Sequence, residues 1–152
     1  MENYLEGYHI PTVHPTLNQE VDINKYQVIV RDGYIEHTSP VSDASAYAGV
    51  WLWHAPTLAI NWYGDGLSLE RIVPTSHNTT EIRYQYLFRK GTGSGDNSID
   101  TSAQVTVEDI EICEAVQAGL EGGGYKSPGM LSPRHEMGVA YFQQMIRNIH
   151  DE

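Results

Sequence analysis

His9 and His14 stand five residues apart near the start of the chain, with Glu6 three residues before the first and Pro11 and Pro15 close behind. Imidazole is the commonest metal ligand among side chains, so the first question is whether two histidines at this spacing can share one small cation. On a continuous helix they cannot, because residues i and i+5 point about 140° apart. Pro11 removes the difficulty. It cannot continue a helix interior and disfavours helical geometry in the residue before it, so the segment breaks just after His9 and a new turn starts with proline at its first position. That bend can aim both imidazoles at one point. Glu6 is expected on the same face of the first helix as His9. There it accepts from one ring nitrogen, sets the tautomer and leaves the other nitrogen for a metal.

Two imidazoles do not make a catalytic iron site. A carboxylate is needed as third ligand, with positions left open for oxygen and substrate. The run Thr106 to Leu120 is the place to look: at helical period Ile112, Cys113, Val116 and Leu120 form an apolar stripe with Asp109 at its head, and Glu108 and Glu111 fall on the other side. An acid on a buried stripe is costly unless it is paired or bound to a metal, which favours Asp109 over Glu108 as ligand. Thr106-x-x-Asp109 before an apolar run also reads as a capping box. The residues alone leave Asp109 as either ligand or cap.

The segment Glu2 to Pro15 resembles the iron-binding motif in the catalytic domain of Rieske-type non-haem iron oxygenases, an Asn-aromatic-x-x-acid-x-Tyr-His-x-x-x-x-His pattern. The likeness continues through Asn61-Trp62-Tyr63, Glu70-Arg71-Ile72-Val73-Pro74, the helix Glu108 to Gln117, and Leu131-Ser132-Pro133 with Glu136-x-Gly138-Val139. The resemblance implies that His9, His14 and Asp109 hold a mononuclear Fe(II). It implies that Glu6 is the bridging acid through which electrons arrive from a Rieske [2Fe–2S] cluster on a neighbouring subunit, with NAD(P)H feeding that cluster through a reductase or ferredoxin. Glutamate at this place is similar to the branch acting on choline, betaines and carnitine. The implied fold is α+β, a helix-grip (START-like) antiparallel sheet on a long C-terminal helix, missing its first strands, and the implied assembly is a homotrimer.

One departure is decisive for the cluster. A Rieske centre needs two cysteines and two histidines, and the chain has a single cysteine, Cys113. Residues 1–152 are therefore expected to form a single partial catalytic domain, the C-terminal part of such an oxygenase from a split, truncated or incompletely assembled gene, with the cluster on another chain or on the missing N-terminal domain. At 152 residues and 40% hydrophobic composition the chain suffices for one core. A formal charge of −11 argues against nucleic acid and anionic membranes as partners. The lone cysteine excludes an intrachain disulfide and fits a reducing cytoplasm, and no apolar run is long enough to span a bilayer.

These residues need a scaffold. Strands are expected at 26–31 and 34–39 around an Asp32-Gly33 turn, then at 50–53, 58–63, 67–73 and 81–88, with a hairpin at Gly64-Asp65-Gly66 and a turn at 76–79. Residues 42–49 and 90–102 read as loops. A helix is expected over 105–121, stopped by Gly122-Gly123-Gly124, and a second from Pro133, carrying Val139, Phe142, Ile146 and Ile149 toward the sheet. Strands followed by helices indicate a sheet covered on one face. Trp51, Trp53, Trp62, Tyr63, Tyr84 and Tyr86 alternate on the strands and chiefly fill the core, with one or two left to line a pocket for a trimethylammonium group. Cys113 reads as a packed apolar residue, and His37, His54, His77, His135 and His150 as surface or structural. Asn3 is placed to hydrogen-bond near the iron.

Two functional classes follow. One is an Fe(II) oxygenase module that uses O₂ to hydroxylate or demethylate a small organic substrate. The other is a non-catalytic module binding a small molecule or lipid, or an inactive gene fragment, since a scaffold does not set function. A zinc hydrolase is remote, because the histidine pair lacks the embedded glutamate of an HExxH motif.

Overall fold

A computed structural model describes residues 1–92, 95–125 and 129–150, with the side chain of His150, and hence its expected surface role, outside the described residues. Six strands form one antiparallel meander in sequence order: β1 (Gln27–Arg31), β2 (Tyr34–Thr38), β3 (Tyr47–His54), β4 (Leu58–Tyr63), β5 (Gly66–Pro74) and β6 (Thr80–Phe88). Their β-branched and aromatic content and intervening turn residues place them where expected. The exception is β3, which begins three residues earlier than the run 50–53 and carries a register shift between Tyr47 and Trp51. Side chains alternate across the sheet, so Trp51, Trp53, Ala59, Asn61, Tyr63, Ser68 and Glu70 are buried on one face.

That face is covered by the N-terminal segment and two helices, α3 (Asp96–Glu121) and α4 (Met137–His150). The N-terminal segment is a 3-10 turn (Glu2–Leu5), the short helices α1 (Ile10–Val13) and α2 (Leu17–Glu20), and a 3-10 turn at Ile23–Lys25. Leu5 packs with Ile35, Trp53 and Val139 under α4, whereas Ile10 and Leu17 pack with Tyr47, Trp51 and Tyr63 near Val105 of α3. The histidine motif lies at the seam between these two clusters. This is the open antiparallel sheet against a long helix that the resemblance implies.

Three expectations are corrected. α3 begins at Asp96, so residues 96–102, expected in a loop, are helical. They dock through hydroxyls: Ser98 donates to Asp65 Oδ1 at 2.7 Å and Tyr86 donates to Ser102 at 2.9 Å. Thr106 and Asp109 consequently sit in mid-helix, where no capping box forms, and Thr106 Oγ1 donates instead to the Ser102 carbonyl. Finally, Cys113 is exposed, and so are Ile112, Val116 and Leu120, because only the first part of α3 lies on the sheet. Val139 and Phe142 of α4 do pack against Trp53, while Ile146 and Ile149 are exposed. Among the described residues no helix is long and apolar enough to cross a membrane.

Gly138 lets α4 approach the N-terminal segment, since a Cβ there would run into the Leu5 carbonyl oxygen and touch Ile35. Gly138→Ala is expected to destabilise the chain by about 1–3 kcal/mol, the usual effect of overpacking, in urea unfolding. It should also loosen the segment that leads into Glu6.

Candidate metal centre

The histidines are brought together by a break in the chain, although not the one the spacing suggested. The 3-10 turn ends at Leu5, Glu6 is extended (φ −138°, ψ 165°), and His9 caps α1, in which Pro11 occupies the first turn. Glu6 and His9 therefore share no helix. Their contact comes from a tight turn in which Glu6 Oε2 accepts from the Tyr8 and His9 amides at 2.8 and 3.2 Å, leaving Oε1 2.5 Å from His9 Nδ1.

His14 is fully buried at the end of α1. Its Nδ1 lies 2.7 Å from Glu108 Oε2 on α3, a carboxylate that helical periodicity had set on the far side. Each imidazole thus has a carboxylate on Nδ1, so each Nδ1 carries the proton and each Nε2 presents a lone pair. The two Nε2 atoms are 3.2 Å apart, and Asp109 Oδ1 lies 3.1 Å from that of His14 and 3.9 Å from that of His9. Asn3 Nδ2 donates to the same Asp109 oxygen at 2.6 Å.

Three electron-rich atoms converge on one point, all within 4.8 Å of one another. Neighbouring ligands bound at roughly 2.1 Å to one ion are about 3 Å apart, so the triangle fits one face of a metal's coordination sphere. A 2-His-1-carboxylate set of this kind leaves the opposite face open and is the arrangement that holds Fe(II) in non-haem oxygenases. His14 reports the same electrostatics: burial depresses its pKa, but the hydrogen bonds and charges of Asp109 and Glu108 outweigh burial and raise it.

The triad borders a cavity of about 90 Å³, room for several waters or one small organic molecule. Its inner wall is the sheet face, where Tyr4 donates to Asn61 Oδ1 at 2.8 Å and Asn61 Nδ2 donates to Ser68 Oγ at 3.0 Å and to Glu70 Oε1. Burial, opposed by the Asn61 hydrogen bond and reinforced by the charge of Asp109, pushes the Glu70 carboxyl up to about 7. His37 also lines the cavity. Its Nδ1 lies 3.1 Å from the Tyr26 hydroxyl, while Nε2 is buried with no hydrogen-bond partner among the described residues, and burial lowers its pKa to about 4. Trp51 and Tyr84 are wall residues, whereas Trp53 packs edge-on to Phe142 beneath α4. His54, His77 and His135 are exposed.

The sequence profile of the ring hydroxylating alpha subunit (catalytic domain) family matches residues 36–152. The chain belongs to that family. The match contains Asp109 and begins after the two histidines. Relatives cover the histidines too. The chain is 27% identical to the chloroplastic choline monooxygenase of Atriplex hortensis across 97% of its own length and 36% of that protein's. It is 24% identical to the carnitine monooxygenase oxygenase subunit of Escherichia coli K12, across 98% and 45% of the two chains. A crystal structure of the quaternary ammonium Rieske monooxygenase CntA with an inhibitor superposes with a TM-score of 0.83 at 25% identity, covering 98% of this chain and 44% of that one. The chain thus spans less than half the length of these family members.

Glu108 is the site residue that periodicity missed. Glu108→Gln keeps the side chain's shape but removes the charge that orients His14, and second-shell changes of this type cost about 10- to 100-fold in metal affinity. A loss of that size is expected in anaerobic Fe(II) titration.

Proposed function

We propose that this chain is the mononuclear-iron catalytic module of a Rieske-type oxygenase acting on a small quaternary ammonium compound, with electrons from a Rieske cluster outside residues 1–152. The observation that carries the reading is the convergence of His9 Nε2, His14 Nε2 and Asp109 Oδ1, with a carboxylate on Nδ1 of each histidine. A lipid or small-molecule carrier would have no use for three unprotonated ligand atoms at one point, and the cavity is small for a lipid chain.

Fe(II) held by these residues would supply O₂ activation for hydroxylation or oxidative demethylation at a C–H bond. The chain's own part is to hold His9 and His14 as Nδ1–H tautomers through Glu6 and Glu108, to steady Asp109 through Asn3, and to confine the substrate against the aromatic wall. Glu6 is the bridging acid at the electron entry, because its buried carboxylate holds His9 Nδ1 on the side of the ring away from the converging ligand atoms. The substrate class follows the relatives named for choline and carnitine and the aromatic lining, whose ring faces attract such cations. The exposed apolar residues of α3 fit a contact with a neighbouring copy in an oligomer, and a reductase or ferredoxin would reduce the cluster.

The test is anaerobic reconstitution with Fe(II), followed by mixing with a reduced Rieske-bearing chain, O₂, and choline or carnitine. One iron per chain and formation of oxidised product are expected. A folded chain that takes up no Fe(II) would sink the reading. Glu6→Gln should weaken Fe(II) binding about 10- to 100-fold, as Glu108→Gln does, and when loaded with excess Fe(II) should still lose most of the product formed.

A further inference from the structure

We infer that Glu70 is the residue that reads the positive charge of the substrate, a specificity determinant separate from the metal ligands. The inference rests on the oxygenase reading and adds to it the group that selects a cation over an uncharged molecule of equal shape.

Three carboxylates line the cavity, from Glu6, Asp109 and Glu70, and among the described residues no lysine or arginine does. Two of these acids are accounted for: Glu6 is held against His9, and Asp109 belongs to the metal-ligand set. Glu70 is outside that set and makes no ion pair among the described residues. It is nevertheless more than nine-tenths buried, and a buried carboxylate with no counter-charge is among the costlier arrangements a fold can retain.

The hydrogen bonds around Glu70 orient it as an acceptor. Tyr4 donates to Asn61, and Asn61, with its oxygen thereby committed, turns its NH₂ toward Ser68 and Glu70 Oε1. Glu70 Oε2 accepts nothing among the described residues. Across the ladder Glu70 faces Tyr84 directly, and Asn61 faces Trp51. Tyr47 packs on Trp51 with ring centroids 5.6 Å apart, and all three rings, with Tyr4, line the cavity. A carboxylate among aromatic rings is a cation site by chemistry: the rings offer negative faces and the acid a full charge. The raised carboxyl pKa agrees, since a carboxylate buried away from any positive side chain holds its proton longer.

The probes are choline and its uncharged carbon analogue 3,3-dimethylbutan-1-ol, which differ in charge and scarcely in shape. Binding to the anaerobic Fe(II)-loaded chain is followed by calorimetry and by the fluorescence of the tryptophans, in the wild type, Glu70→Gln and Glu70→Asp. The wild type should bind choline at least about tenfold more tightly than the alcohol. Glu70→Gln should bind the two within about threefold of each other while taking up iron normally, and Glu70→Asp should retain part of the preference. An unchanged preference in Glu70→Gln would place charge recognition elsewhere and overturn the inference. A wild type with no preference, iron being bound, would overturn it too while leaving the oxygenase reading intact. Failure to bind iron at all counts against the oxygenase reading instead.

Discussion

Asp109→Ala is expected to lower Fe(II) affinity by about 100-fold or more while leaving the chain folded. Asp109 is the one anionic group among the three converging ligands, so its loss leaves two neutral imidazoles facing a divalent cation. Second-shell changes alone cost about 10- to 100-fold, and loss of a charged direct ligand must exceed them. The fold should survive, because Asp109 lies on a partly exposed stretch of α3. What it forfeits is the hydrogen bond from Asn3 and the contact with His14, about 1–3 kcal/mol. Asp109→Asn, which keeps an oxygen in place without the charge, should fall between wild type and alanine. Chelator competition under anaerobic conditions measures all three. An Asp109→Ala chain that keeps iron within threefold of wild type would remove Asp109 from the ligand set and point to Glu108 as the carboxylate.

Glu70→Gln should stabilise the chain at pH 8 by about 3 kcal/mol and change little near pH 4. The folded carboxyl titrates at about 7 against an ordinary value of 4.5, a difference worth about 3 kcal/mol at roughly 1.4 kcal/mol per unit. A raised folded pKa means that the fold binds the proton more tightly than the unfolded chain does. The favourable contribution of protonated Glu70 is complete below about pH 4.5 and is lost as pH rises through about 7. Glutamine carries no charge to bury, so the variant escapes that loss. Urea unfolding of both chains at several pH values isolates the effect, since other titrating groups cancel in the difference. Parallel curves from pH 4 to 8 would show that the carboxylate is compensated in the fold. Such a stabilising substitution in a site wall is the usual mark of a residue kept for function.

How far each feature was legible depends on how local its cause is. The six strands and their turns follow from β-branched runs and from Asp32-Gly33 and Gly64-Asp65, whose preferences act over a few residues. Pro11 between the histidines fits the first turn of a new helix there, and a single cysteine excludes a Rieske cluster within residues 1–152, whatever the fold. The pairing of His9 and His14 was readable for the same reason, although the turn that delivers Glu6 to His9 was not, because Glu6 ends one element and His9 caps the next.

What only the tertiary structure decided concerns which faces are covered and which distant groups meet. Ile112, Cys113, Val116 and Leu120 share a helical stripe, yet they are exposed, since periodicity states which residues lie together and not what packs on them. The start of α3 escaped notice because it docks by serine hydroxyls rather than apolar side chains. Helical period puts Glu108 across from the apolar stripe, but His14, 94 residues away, approaches that side, so neighbouring residues of α3 serve the two nitrogens of one imidazole. The sheet buries Glu70 opposite Tyr84 with no cationic side chain beside it among the described residues, and burial and counter-charge are properties of the assembled core.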